Sequence, residues 1–280
     1  MSPAAVPCAA STLVEPLVRG RRRWARVVGV TGKAVYLLPY EEESAGNSRL
    51  FALVAPTGVR VPSAVLLSRA AGEHPFTGID PGAVARIGGG RVELGPLRLA
   101  AGVSWAPPRV QGTPVAQALP APARFGPPRQ LPGGVAPFAR ELAEALGAWP
   151  ARVEARPDPL RGPALALLGR GPGLTPSGDD YLCGLLLAAN AAARTPSWLA
   201  PLISSVADAP ERTTLVSASL LAHAAGGHCI PQVHDLLGAT AASDEVPPGP
   251  LAALLAVGHS SGSDLLHGLC AGARLLTRAG

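Results

Sequence analysis

Between Trp24 and Trp105 the apolar positions fall in short runs, several alternating with polar residues, and turn residues break them. Trp24-Ala-Arg-Val-Val-Gly-Val, Ala34-Val-Tyr-Leu-Leu, Leu50-Phe-Ala-Leu-Val and Val59-Arg-Val-Pro read as strands, with Thr31-Gly32 and Pro56-Thr57-Gly58 as turns between them. Ala85 to Leu94 reads as a hairpin around Gly88, Gly89 and Gly90. Several short strands in succession predict a small antiparallel barrel or sandwich. Residues 106–135 are dense in proline and carry no period, so they read as a connection, part of which packs on the surface. From Val135 the period becomes helical. Phe138-Ala-Arg-Glu-Leu-Ala-Glu-Ala-Leu ends at Gly147, and further helices are expected at 163–169, 179–194, 198–207, 211–225, 231–238, 249–257 and 263–278. The expected class is α+β: a β-rich domain over 1–105, the proline-rich connection over 106–135, and an α-helical domain over 136–280.

The helical half repeats itself. Ser177-Gly-Asp-Asp-Tyr-Leu-Cys-Gly-Leu and Ser261-Gly-Ser-Asp-Leu-Leu-His-Gly-Leu share the pattern S-G-x-D-x-L-x-G-L at an offset of 84 residues (177 to 261). Each follows a short apolar helix and a glycine, Gly171 in one and Gly258 in the other, and the first approach is three residues longer. The unit is helix, glycine turn, S-G-x-D, buried helix, used twice. Equivalent ends of packed duplicates meet near a shared axis, so the two starts at Ser177 and Ser261 are expected to converge.

Helix starts carry N–H groups without intrahelical partners and a partial positive charge, and a glycine turn ahead of them admits a ligand to the backbone. Gly171-Pro-Gly-Leu-Thr-Pro-Ser-Gly is such an approach, suited to a phosphate or carboxylate. The spacing of Gly173 and Gly178 matches a Walker loop only until Asp179 and Asp180, which replace the lysine and hydroxyl that loop requires. A Ser-x-x-Asp at a helix start also reads as a capping box. Capping needs one acid, however, and no long glycine approach, so the first turn reads as functional. Gly173, Leu174, Thr175, Ser177 and Gly178 are the expected substrate contacts, with Ser260, Ser261, Gly262 and Asp264 facing them from the second start. Asp179, Asp180 and His259 are the expected catalytic groups: a carboxylate or imidazole for acid–base work, with the two aspartates also able to hold a divalent cation such as magnesium. Thr213 and Thr214 stand four and three residues before Ser217, on one face of an expected half-buried helix, and Thr214 and Ser217 are expected to line the site. His223, His228, Cys229 and His234 have no recognised metal spacing, and His74 and His267 carry no special signal.

Composition changes this picture little. The chain has 280 residues, 48% hydrophobic but only 4% aromatic, with 31 prolines and Lys33 as its one lysine, a bias of GC-rich coding rather than of function. The net charge of +5 is spread out except at Arg19-Gly-Arg-Arg-Arg23, a solvated strand entry, so an anionic small substrate explains the basicity better than nucleic acid. The four cysteines lie far apart, and Cys183 and Cys270 sit in apolar helical stretches as small hydrophobes, which points to a reducing compartment. The arginines follow Leu17 rather than preceding an apolar run, so no signal peptide is expected, and Tyr181–Ala193 is too short to span a bilayer. A cytoplasmic protein without membrane contact follows.

The motifs Gly171-Pro-Gly-Leu-Thr-Pro-Ser-Gly-Asp-Asp-Tyr-Leu-x-Gly, Thr213-Thr-x-x-Ser217 and Gly258-His-Ser-Ser-Gly-Ser-Asp264 resemble the signature of a bacterial family long labelled a domain of unknown function, one branch of which is AllH, a subunit of oxamate carbamoyltransferase. The resemblance is specific over 163–278 and general in the β-rich half. It implies chemistry linking oxalurate and phosphate to oxamate and carbamoyl phosphate, shared among several subunits. The expected function is therefore carbamoyl or related acyl transfer on a small carboxylate or amide. A non-catalytic metabolite-binding or scaffold subunit is the alternative, and partner subunits or a homo-oligomer are expected in either case.

Overall fold

The strands of the N-terminal half turn apolar residues onto one shared core, and their ladder closes on itself as a barrel. A computed structural model of the protein describes residues 5–42, 50–110, 130–149, 158–241 and 248–278. The chain divides into two compact units, Met1–Pro107 and Pro108–Gly280.

The first unit has strands β1 (Val6–Ser11), β2 (Arg23–Val30), β3 (Ala34–Pro39), β4 (Phe51–Val54), β5 (Ala64–Leu67), β6 (Val84–Gly88), β7 (Arg91–Leu94) and β8 (Leu97–Trp105), plus the short helix α1 (Glu15–Arg19). They close in the order β1-β5-β4-β3-β2-β6-β7-β8. Val35 faces Leu53, Leu37 faces Phe51, Cys8 faces Leu67, and Ile87 faces Val92, so the inward sets meet across each ladder. These side chains, with Leu17 and Val18 of α1, form one buried core. The glycine hairpin turns where expected, between β6 and β7. Two expectations need correction. The barrel is not wholly antiparallel, because β4 pairs with β5 and β1 with β8 in parallel. Val59–Pro62 is not a strand; the strand is Ala64–Leu67, after the proline that cannot donate to a ladder.

The second unit contains α2 (Ala136–Gly147), α3 (Arg161–Leu167), α4 (Ser177–Ala191), α5 (Leu199–Val206), α6 (Ala209–Arg212), α7 (Leu215–Ala225), α8 (Pro231–Ala241), α9 (Pro248–Leu255) and α10 (Ser261–Arg278). The helix expected over 211–225 is broken: α6 stops at Arg212, Thr213 is extended, and Thr214 caps α7 by accepting from the Ser217 N–H at 3.0 Å. Within the proline-rich segment, Pro108–Val110 is tied down. The Cys229 N–H donates to the Pro108 carbonyl at 3.0 Å, and the Val110 N–H to Gly227 at 2.9 Å. The remaining expectation for 111–129 lies outside the described residues.

Every residue of α4 is buried; from Tyr181 to Ala189 its sequence is apolar, while Ser177, Asp179, Asp180 and Asn190 are polar residues buried with it. It crosses α10 at two glycines of the repeat. A Cβ at Gly184 would stand 2.1 Å from the Leu265 carbonyl oxygen and 2.9 Å from the Leu269 nitrogen. A Cβ at Gly268 would stand 2.0 Å from the Tyr181 oxygen and 2.8 Å from the Leu185 nitrogen. The two lists are the same list displaced by 84 residues, so α4 and α10 pack about a local two-fold axis. The four cysteines are free and buried, and among the described residues no helix is long and apolar enough to cross a membrane.

Candidate functional site

The reciprocal crossing decides where the helix starts go. Thr175, one residue before the N-cap of α4, shares a 2.9 Å hydrogen bond between hydroxyls with Ser261, the first residue of α10. The two S-G-x-D starts therefore converge, as the repeat implies. Their approaches are equivalent in detail. The Gly178 N–H donates to the Arg170 carbonyl at 2.9 Å and the Gly262 N–H to Val257 at 3.0 Å; Asp180 N–H donates to Pro176 at 3.1 Å and Asp264 N–H to Ser260 at 2.9 Å. Behind them, Gly178 presses on the Leu167 carbonyl as Gly262 presses on that of Leu254.

Ser177 is not a capping residue. The helix already begins at Ser177, its N-cap is Pro176, and no side chain caps it. Asp179 and Asp180 then part company. Asp179 is fully buried and accepts from three protein donors: the Gly169 N–H at 2.8 Å on Oδ1, the Ser217 hydroxyl at 2.7 Å on Oδ2, and the Thr213 hydroxyl on Oδ2. The Thr214 hydroxyl donates to the Leu174 carbonyl at 2.5 Å. Thr213, Thr214 and Ser217 thus fasten the start of α7 to the first turn through Asp179 and Leu174. Burial raises the Asp179 carboxyl above its ordinary pKa in spite of these donors. Its counterpart in the second copy is Ser263, so this latch belongs to the first copy only.

Asp180 and Asp264 occupy the same position of the two copies. They are 4% and 2% exposed, and Oδ2 of each has no hydrogen-bond partner among the described residues. Burial pushes the Asp180 carboxyl well above the carboxylate range; the Ser261 hydroxyl opposes this, the charges of Asp264 and Asp179 add to it, and Thr175 opposes it again. Buried polar atoms are nearly always paired, so two orphan oxygens at equivalent positions mark the centre of the candidate site.

The surrounding donors differ from the sequence expectation. The N–H groups of Gly178, Asp179, Asp180, Gly262 and Asp264 already donate to backbone carbonyls. Gly171 and Gly173 are exposed with φ of 118° and 93°, while Leu174 and Thr175 are half-buried. Arg170 is engaged nearby, its Nε donating to the Ala166 carbonyl at 2.7 Å and its guanidinium lying 3.9 Å from the Phe138 ring centre. His259 is exposed in the turn before α10, and Ser260 is half-buried beside it.

Elsewhere, His223 and His228 meet edge to face at 6.4 Å, and burial lowers the His223 pKa to about 4. Among the described residues no three His, Cys, Asp or Glu side chains lie close enough together to hold a metal ion.

Residues missed from sequence are Gly169 as a latch donor, Thr213 as a direct partner of Asp179, and the crossing pair Gly184 and Gly268. The glycine pair was visible as the seventh residue after each repeated serine; its contact partners were not.

Residues 167–273 match the family described as oxamate carbamoyltransferase subunit AllH. The match begins at the last residue of α3 and ends inside α10, so it contains both turns and the whole crossing. No solved structure matches the chain.

Proposed function

We propose that the paired turns form the substrate site for carbamoyl, or closely related acyl, transfer on a small carboxylate–amide compound of the oxamate kind. The carrying observation is the convergence of two equivalent helix starts on two buried carboxyl groups with orphan oxygens. The family match supports the chemistry, since the matched family is described as a subunit of an oxamate carbamoyltransferase.

In this reading Asp180 is the acid–base group. Transfer to an amide forms a bond from the amide nitrogen to the carbamoyl carbon and breaks the bond from that carbon to phosphate oxygen. The nitrogen's proton passes to the carboxylate, and phosphate leaves with the bonding pair. Asp264 shares the site, Asp179 positions the turn through its latch, and the approach from Gly173 through Gly178 holds the substrate with Ser260, Ser261 and Gly262. His259, being exposed, meets the anionic end of a substrate rather than the reacting nitrogen. Asp179 is not open to a magnesium ion, because both of its oxygens already accept from protein donors.

The word subunit in the family description favours a second reading, in which this chain binds the metabolite and a partner completes catalysis. The test is formation of oxalurate and phosphate from oxamate and carbamoyl phosphate, by the purified chain alone and with whatever co-purifies. Turnover by the chain alone supports the first reading. Binding with turnover only in a complex supports the second, and neither binding nor turnover refutes both.

A further inference from the structure

Two buried oxygens at the centre of the site, one on each of the paired aspartates, have no hydrogen-bond partner among the described residues. Asp180 and Asp264 thus leave two buried acceptor oxygens, while the N–H groups of Gly178, Asp179, Asp180, Gly262 and Asp264 are already spent on carbonyls. Arg170, the basic residue on the first approach, is engaged with Ala166 and Phe138. An anion at this centre would face two carboxyl groups and no free main-chain donor among those named. A group that only donates meets what is there.

We infer that the Asp180–Asp264 pair receives the –NH2 of a primary amide or carbamoyl group, one N–H to each orphan oxygen, with the anionic end of the same ligand lying outward along the exposed approach from Gly171 to Thr175. This rests on the proposed function and adds the direction in which the substrate lies. An amide –NH2 offers two coplanar, diverging N–H donors, which suits two acceptors related by a local two-fold axis. It is also uncharged, so it leaves the pair's balance of charge alone. Burial and the neighbouring carboxylates already disfavour negative charge at Asp180, so a neutral donor is accommodated where a second anion is not. The same placement puts the amide nitrogen beside the group that takes its proton in the transfer.

Oxamate and oxalate test this directly, because they differ by –NH2 against a carboxylate oxygen. Calorimetric titration of the full chain should show oxamate binding about tenfold or more tightly than oxalate, the usual size of penalty when a site built for a donor meets a group without one. Asp180→Asn and Asp264→Asn each place a donor where the acceptor was, and each should reverse the order. Should either variant fail to fold, N,N-dimethyloxamate on the unmodified chain gives the same information. With no N–H to offer, it should bind no better than oxalate. Oxalate binding as tightly as oxamate, or oxalate preferred once magnesium is added, overturns the inference and leaves the transfer reading standing. Failure to bind oxamate, oxalate and carbamoyl phosphate alike removes the transfer reading, and this inference with it.

Discussion

Asp179→Ala removes the acceptor of three donors at once. The Gly169 N–H at 2.8 Å has no freedom to turn elsewhere, and an unsatisfied buried N–H costs about 1–3 kcal/mol. The hydroxyls of Ser217, at 2.7 Å, and Thr213 can rotate, so their loss is nearer 0.5–1.5 kcal/mol each. Removing a desolvated carboxyl offsets part of this, and about 3 kcal/mol is the expected net loss. For a unit of this size that lowers Tm by roughly 6–12 °C. Asp179→Asn keeps one acceptor oxygen and should lose less. Its deficit also has a definite pH dependence. The folded pKa of Asp179 is raised, so the stability it contributes is complete below the ordinary carboxylate pKa and falls as pH rises through the folded value. The asparagine escapes that fall, so the deficit should shrink with rising pH. Denaturant titrations of the three proteins, at mildly acidic and at neutral pH, measure both effects. A loss under about 1 kcal/mol for the alanine variant, or an asparagine deficit that grows with pH, would refute the latch.

Asp180→Asn should abolish turnover. By the same sign rule it should also match or exceed the unmodified protein in stability at neutral pH, with the advantage fading as pH falls, because the raised carboxyl then takes up its proton anyway. Gly184→Ala and Gly268→Ala should each cost about 2–3 kcal/mol or more by denaturant unfolding, since each Cβ meets a carbonyl oxygen within 2.1 Å; a neutral outcome at either would disprove the close crossing. His259→Ala should raise KM for an anionic substrate a few-fold and leave kcat within about two-fold, whereas a collapse of kcat would make His259 the acid–base group instead of Asp180.

The division into a β-rich and a helical half was legible because period two and period 3.6 are written in the chain itself. So was the duplication, because S-G-x-D-x-L-x-G-L recurs intact at 177 and 261, and with it the expectation that the two starts meet. The β1 and β8 strands escaped notice, and with them the parallel closure between them, because ladder partners distant in sequence leave no local period. Asp179 and Asp180 look alike in sequence. Only the fold separates them, by bringing Gly169, Thr213 and Ser217 to one carboxylate and leaving the other facing Asp264. Of the N–H groups expected to be free for an anion, those of Gly178, Asp179, Asp180, Gly262 and Asp264 are spent on the carbonyls of Arg170, Pro176, Val257 and Ser260, a result of backbone paths that no residue pattern specifies. The sequence by itself determined which residues are equivalent, because equivalence is a matter of identity and spacing. Which of them keep unsatisfied atoms was decided by the tertiary structure alone, because satisfaction depends on partners that the chain brings from far along its length.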